Sequence, residues 1–144
     1  MQRIPKVVIY LVHRGHLLVF QHPDAPEAGL QVPAGTVEPR EKPREAAIRE
    51  LLEETGIDAV IVRDLGTTLY DMHAYGRNEL HERSFFLAEP AGNRSLHQRW
   101  RHLETHDGIG EPDVFELSWV PLDTPGLAAT LEAGQGALLG RVIG

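Results

Sequence analysis

A change of period at Pro43 constrains this 144-residue chain more than any other feature. Before it, "KVVIYLV" (6–12) and "HLLVFQH" (16–22) are apolar, β-branched runs either side of "HRG" (13–15), the pattern of a β-hairpin. After it, Ile48, Leu51, Leu52 and Thr55 recur at i, i+3, i+4 and i+7, which predicts a helix over 43–55 with its apolar stripe on those residues. Pro43 suits the first helical turn and Gly56 a left-handed cap. The chain must therefore join an early sheet to a helix through the proline- and glycine-punctuated stretch 23–42.

Further strands are predicted at 59–64, 66–73, 79–89 and 113–122. The polar stretch 90–112 has no clean period and reads as a long functional loop. Thr124 and Pro125 signal a closing helix backed by Leu127, Leu131, Leu138 and Val142, which Gly134 and Gly136 should break or weaken. The expected architecture is α/β (α+β), a mixed β-sheet flanked by helices in a single domain over 1–144.

The helix carries an anomaly. Glu50, Glu53 and Glu54 fall within an arc of about 100°, where like charges repel at i, i+3 and i, i+4. Glu53 and Glu54 also occupy the last turn, where the helix dipole favours cations instead. Either this is a solvated acidic face, softened by Arg49, or the carboxylates converge on a hard divalent cation.

Charge and composition narrow the partners. With 21 acidic against 14 basic residues and a net charge of −7, broad attraction to a nucleic-acid polymer or an anionic membrane is not expected, and a polyanionic ligand would need bound cations or local Arg and Lys. The absence of cysteine excludes disulfides and thiolate chemistry. The longest apolar run, Val7 to Val12, is too short to span a membrane, and a cytoplasmic location is expected.

Gly35, five residues, Glu41, seven residues, then "RELLEETGI" from Arg49 to Ile57 matches every fixed position of the Nudix box. The chain therefore resembles the Nudix hydrolases, and "VPAG" leading in and "SWVPLD" near the end extend the likeness. The resemblance implies a mixed sheet sandwiched between helices and hydrolysis of a nucleoside diphosphate linked to another moiety, with Mg²⁺ or Mn²⁺ required. It implies Glu50, Glu53 and Glu54 as metal ligands together with the backbone carbonyl of Ala34, Arg49 orienting a glutamate, and Glu41 supporting the loop and helix start. Glu50 and Glu53 are also candidates for the chemical step. Gly35 and Gly56 are expected to serve backbone geometry.

Outside the motif, Glu116 is the first candidate for an extra ligand or general base, with Glu82 and Glu104 behind it; the competing reading of Glu116 is an ordinary outward strand residue. Tyr75, Arg83 and Trp100 are candidate substrate contacts, Trp100 having an alternative as a loop anchor. Five histidines, His73, His81, His97, His102 and His106, lie between 73 and 106 without a zinc-ligand spacing. A small nucleotide-type substrate is expected, a homodimer is compatible with the family, and the rival function is a nucleotide sensor without turnover.

Overall fold

The computed structural model describes residues 1–92, 95–104 and 113–143. It contains seven strands: β1 (Gln2–His13), β2 (His16–Gln21), β3 (Ala34–Thr36), β4 (Ala59–Asp71), β5 (Glu79–Pro90), β6 (Arg99–Glu104) and β7 (Asp113–Pro121). The principal helix α1 spans Pro43–Thr55, and a short α2 spans Leu127–Thr130. The sheet order is β4-β5-β1-β2-β7-β6, with β3 paired to β1. Among the described strands, the β1–β5 pairing is parallel and the others are antiparallel, so the sheet is mixed, as expected.

Strand β1 is the spine. Val7 to Leu11 are all fully or almost fully buried because both faces of the sheet are covered, which explains the unbroken apolar run where one-sided burial would give alternation. Val7, Ile9 and Leu11 pack toward α1 with Ala46, Ala47, Leu51, Phe86 and Leu117. Val8 and Tyr10 pack toward the C-terminal layer with Leu127, Leu131, Leu138 and Val142.

The β1–β2 hairpin closes through Arg14 and Gly15, both at positive φ, the backbone that two-residue hairpin turns require. It pairs only Val12 with Leu17 and His13 with His16 before the strands diverge. The chain at 30–36 enters the gap: Phe20 and Gln31 exchange backbone hydrogen bonds of 2.8 and 3.0 Å, the Ile9 N–H donates to the Pro33 carbonyl at 2.9 Å, and β3 pairs with Lys6 to Val8. This wedge sets the start of the glycine–glutamate motif inside the sheet and aims the following turn at α1.

Helix α1 has the predicted bounds. The Glu45 carboxylate accepts the Lys42 N–H at 2.9 Å, Pro43 fills the first turn, and Gly56 caps the end at φ 75°, donating to the Leu52 carbonyl. Its inward face differs from the predicted stripe. Leu52 is 52% exposed, whereas Glu50 and Glu54 are 8% and 5% exposed. The helix is rotated so that Ala46, Ala47, Glu50, Leu51 and Glu54 point inward.

Three other expectations are corrected. The predicted strands 59–64 and 66–73 are one strand, β4, with register shifts between Ile61 and Arg63 and between Asp64 and Gly66. Gly66 takes φ 117° at that irregularity, a bulge that reads in sequence as a break. Strand β6 lies within the predicted loop. The closing helix shrinks to α2 followed by 3₁₀ turns at Glu132–Gly134 and Leu139–Arg141.

The glycines account for that shortening. Gly134 sits at φ 70°, and a Cβ on Gly136 would lie 2.0 Å from the Ala128 carbonyl oxygen. Gly136→Ala should therefore cost about 1–3 kcal/mol through overpacking against rigid backbone, read as a lowered thermal midpoint. An unchanged midpoint would contradict this packing.

Candidate active site

The first half of the glutamate motif prepares a place for one carboxylate. A Cβ on Gly35 would lie 2.1 Å from Glu50 Cδ, and Gly35 does not have positive φ. Glycine is needed there so that the Glu50 side chain can lie against the backbone of β3, and not because of an unusual dihedral. Gly56 does take the left-handed conformation.

Arg49 organises the surrounding charge. Its Nε and Nη2 donate to the two oxygens of Glu41 at 2.8 and 2.9 Å, a bidentate pair. Nη1 donates to Glu50 Oε1 at 2.9 Å and Glu53 Oε2 at 3.3 Å, and Nη2 also donates to the Thr36 carbonyl at 3.0 Å. All five N–H groups of the guanidinium are thereby engaged. Glu41 additionally accepts the Glu38 N–H at 3.0 Å, tying the turn to the helix, and its hydrogen bond from Arg49 holds its carboxyl below the ordinary value.

The inner carboxylates are less comfortable. Burial pushes Glu50 up to about 7, with Arg49 opposing the shift. Glu54 is raised well above the ordinary carboxylate value, chiefly by burial and then by the Glu50 and Glu104 charges; the Ala34 N–H, 3.4 Å from each of its oxygens, works against this. Ala34 therefore lies beside the cluster, presenting its N–H to Glu54.

Strand β6 completes the arrangement. Trp100, His102 and Glu104 alternate along it toward α1. The Trp100 indole N–H donates to the Thr55 carbonyl at 3.2 Å, and His102 Nε2 lies 2.7 Å from the Glu53 carbonyl. These are carbonyls of the last helical turn, which has no intrahelical donors for them. Next along the strand, Glu104 is buried, and oxygens of Glu50, Glu53 and Glu104 lie within 4.8 Å of one another. Three carboxylates from helix and strand thus converge as hard oxygen donors, a set that suits a hard divalent cation.

Glu116 is corrected. It lies between Phe115 and Leu117, both packed toward α1, so strand alternation turns it to the opposite face. There it pairs with Arg101 at 3.3 Å and Arg99 at 3.8 Å. Glu82 is a half-exposed partner of Arg3.

The expected substrate contacts divide. Trp100 packs against the helix-side core, the anchoring alternative, with its N–H already bonded. Arg83 is buried, stacks 4.1 Å over the Tyr70 ring and donates to the Ala133 carbonyl; it straps the C-terminal layer to the sheet. Tyr75 remains half-exposed, its ring 6.5 Å from that of Tyr70. No histidine joins the metal-spaced group among the described residues, and His106 lies outside them.

The mixed sheet thus carries a glutamate-rich loop–helix, tied together by Arg49, whose carboxylates meet one from β6. The NUDIX domain model matches residues 2–141, and the chain belongs to the Nudix hydrolase family. An RNA pyrophosphohydrolase of Cereibacter sphaeroides is 50% identical over 56 residues, spanning 38% of this chain and 35% of that protein. Among solved structures, a NUDIX hydrolase from Nitrosomonas europaea aligns with TM-score 0.70 at 18% identity, covering 98% of this chain and 90% of its own. A MutT protein from Methanosarcina mazei Go1 aligns with TM-score 0.67 at 21% identity, covering 97% and 92%. These two show the shared fold. No helix among the described residues is long and apolar enough to cross a membrane.

The raised carboxyls fix the sign of a pH effect. Glu50 and Glu54 hold their protons more tightly folded than unfolded, so their contribution to metal-free stability is complete below about pH 4.5 and is lost as pH rises, for Glu50 through about 7. Chemical unfolding in a chelator should show Glu50→Gln gaining stability relative to the parent between pH 5 and 8. A pH-independent difference would contradict the burial of this carboxylate.

Proposed function

We propose that the protein is a single-domain, metal-dependent pyrophosphohydrolase that cleaves a nucleoside diphosphate linked to another moiety. The observation that carries this reading is the convergence of Glu50, Glu53 and Glu104 oxygens within 4.8 Å beside buried Glu54. Family membership and the local likeness to a protein named RNA pyrophosphohydrolase support pyrophosphate hydrolysis as the reaction class.

Glu50, Glu53 and Glu54, with the Ala34 carbonyl, are the proposed holders of Mg²⁺ or Mn²⁺. When bound, such an ion neutralises phosphate charge and makes water a better nucleophile. Arg49 is a positioning residue: its guanidinium keeps Glu50 and Glu53 at fixed distances while Glu41 anchors it from the loop. Glu104 takes the role of additional ligand or proton acceptor that the sequence assigned to Glu116. Tyr75 is the remaining exposed aromatic candidate for substrate contact. The substrate is a small nucleotide derivative, in keeping with the net charge of −7, and the expected setting is the cytoplasm.

Activity is tested with nucleoside diphosphate derivatives and a short 5′-triphosphorylated RNA in Mg²⁺ or Mn²⁺. The parent should release phosphate-containing products, and Glu54→Gln and Glu104→Gln should each lose at least about tenfold in rate, about 1.4 kcal/mol in barrier. Glu116→Gln should retain activity. Specific nucleotide binding without turnover by the parent would favour the sensor reading; undiminished rates in Glu54→Gln would contradict the site. Gly35→Ala, which displaces the Glu50 carboxylate, should likewise lose about tenfold or more in rate. Parent-like kinetics in that variant would overturn the packing argument.

A further inference from the structure

A cavity of about 670 Å³ opens away from the glutamates. His13, Arg14 and His16 of the β1–β2 hairpin form one wall, and His97, Arg99 and Trp119 form the other. Arg99 begins β6 and Glu104 ends it. At about 3.3 Å per residue, about 16 Å of strand separates the cavity from the carboxylate cluster.

Its chemistry is opposite in sign to that of the catalytic cluster. The lining includes two guanidiniums, three imidazoles and an indole, and no carboxylate, in a chain of net charge −7. Such a concentration of cationic and aromatic groups in a concave site focuses positive potential and favours an anion with a flat ring. The volume falls within the range of small-molecule sites, about 300–1,000 Å³.

Arg14, His16, His97 and Arg99 are exposed at the rim, and contacts fix the inner part of the walls. The Trp119 N–H donates to the His97 carbonyl at 3.0 Å, and the His13 ring lies 5.9 Å from the indole. His16 Nδ1 lies 2.9 Å from the Arg14 carbonyl, and Arg14 takes φ 49° at the hairpin tip. Arg99 reaches Glu116 only at 3.8 Å, while Arg101 holds that carboxylate at 3.3 Å, so the Arg99 guanidinium can turn to a ligand. The three histidines do not form a metal site as built: the one His/Asp/Glu group with ligand atoms in common reach among the described residues is Glu50, Glu53 and Glu104.

We propose that this cavity binds a nucleoside monophosphate, its base against Trp119 and its phosphate between Arg14 and Arg99, at a site separate from the glutamate cluster. This assignment does not depend on the hydrolase reading, because charge and shape at the hairpin carry it alone.

Equilibrium dialysis of labelled AMP against the full chain in EDTA tests the site, with tryptophan fluorescence as a second readout. AMP should bind saturably, and adenosine or inorganic phosphate alone should bind at least about tenfold more weakly, about 1.4 kcal/mol each. The double variant Arg14→Asn with Arg99→Gln should weaken AMP by about tenfold or more, since both side chains are exposed and asparagine tolerates the positive φ. Glu50→Gln should bind AMP like the parent. Three results would overturn the proposal: no saturable AMP binding, loss of binding in Glu50→Gln with retention in the double variant, or inorganic phosphate binding as tightly as AMP.

Discussion

Two carboxylates turned inward on α1 govern the arrangement of this protein. Glu50 and Glu54 occupy positions that helix packing would ordinarily give to apolar side chains, while Leu52 is displaced outward. Removing ionised carboxylates from water costs several kcal/mol each unless charge and hydrogen bonds compensate. Arg49 supplies part of the compensation to Glu50, and the Ala34 N–H supplies a weaker part to Glu54. Their upward-shifted proton affinities mark the unbalanced remainder, which a divalent cation would remove. Stability is given up locally to hold these carboxyl oxygens in place, a trade characteristic of functional sites.

The sheet makes that trade geometrically possible. Because β1 and β2 separate after two residue pairs, the chain at 30–36 can run between them and bring Gly35 under α1. From the other side, β6 offers donors to the unsatisfied carbonyls at the helix end and carries Glu104 into the cluster. Helix, wedge and strand are thereby coupled through hydrogen bonds between side chains and backbone, so the carboxylates inherit the rigidity of three elements.

Much of this was legible in the sequence. The hairpin and α1, with its first-turn proline and its glycine cap, follow from local periodicity and turn chemistry, and the spacing from Gly35 to Ile57 is legible through its family resemblance. Strand β6 was hidden because its inward residues, Trp100, His102 and Glu104, serve the helix end and the carboxylate cluster instead of filling an apolar core, so a period of two was present without its usual hydrophobic mark. Glu116, the first candidate outside the motif, matches its competing reading as an outward strand residue, because the buried Phe115 and Leu117 that flank it face the other way. The inward rotation of α1 could not be read from hydrophobicity, since the side chains that define its buried face include two acids.

Diffraction from crystals grown with Mn²⁺, recorded at an energy where manganese scatters anomalously, tests the central claim most directly. The account predicts an anomalous peak within about 2.0–2.3 Å of carboxylate oxygens from Glu50 and at least one of Glu53, Glu54 and Glu104. A well-ordered structure with those side chains in place and no peak among them, or with manganese bound only elsewhere, would contradict it.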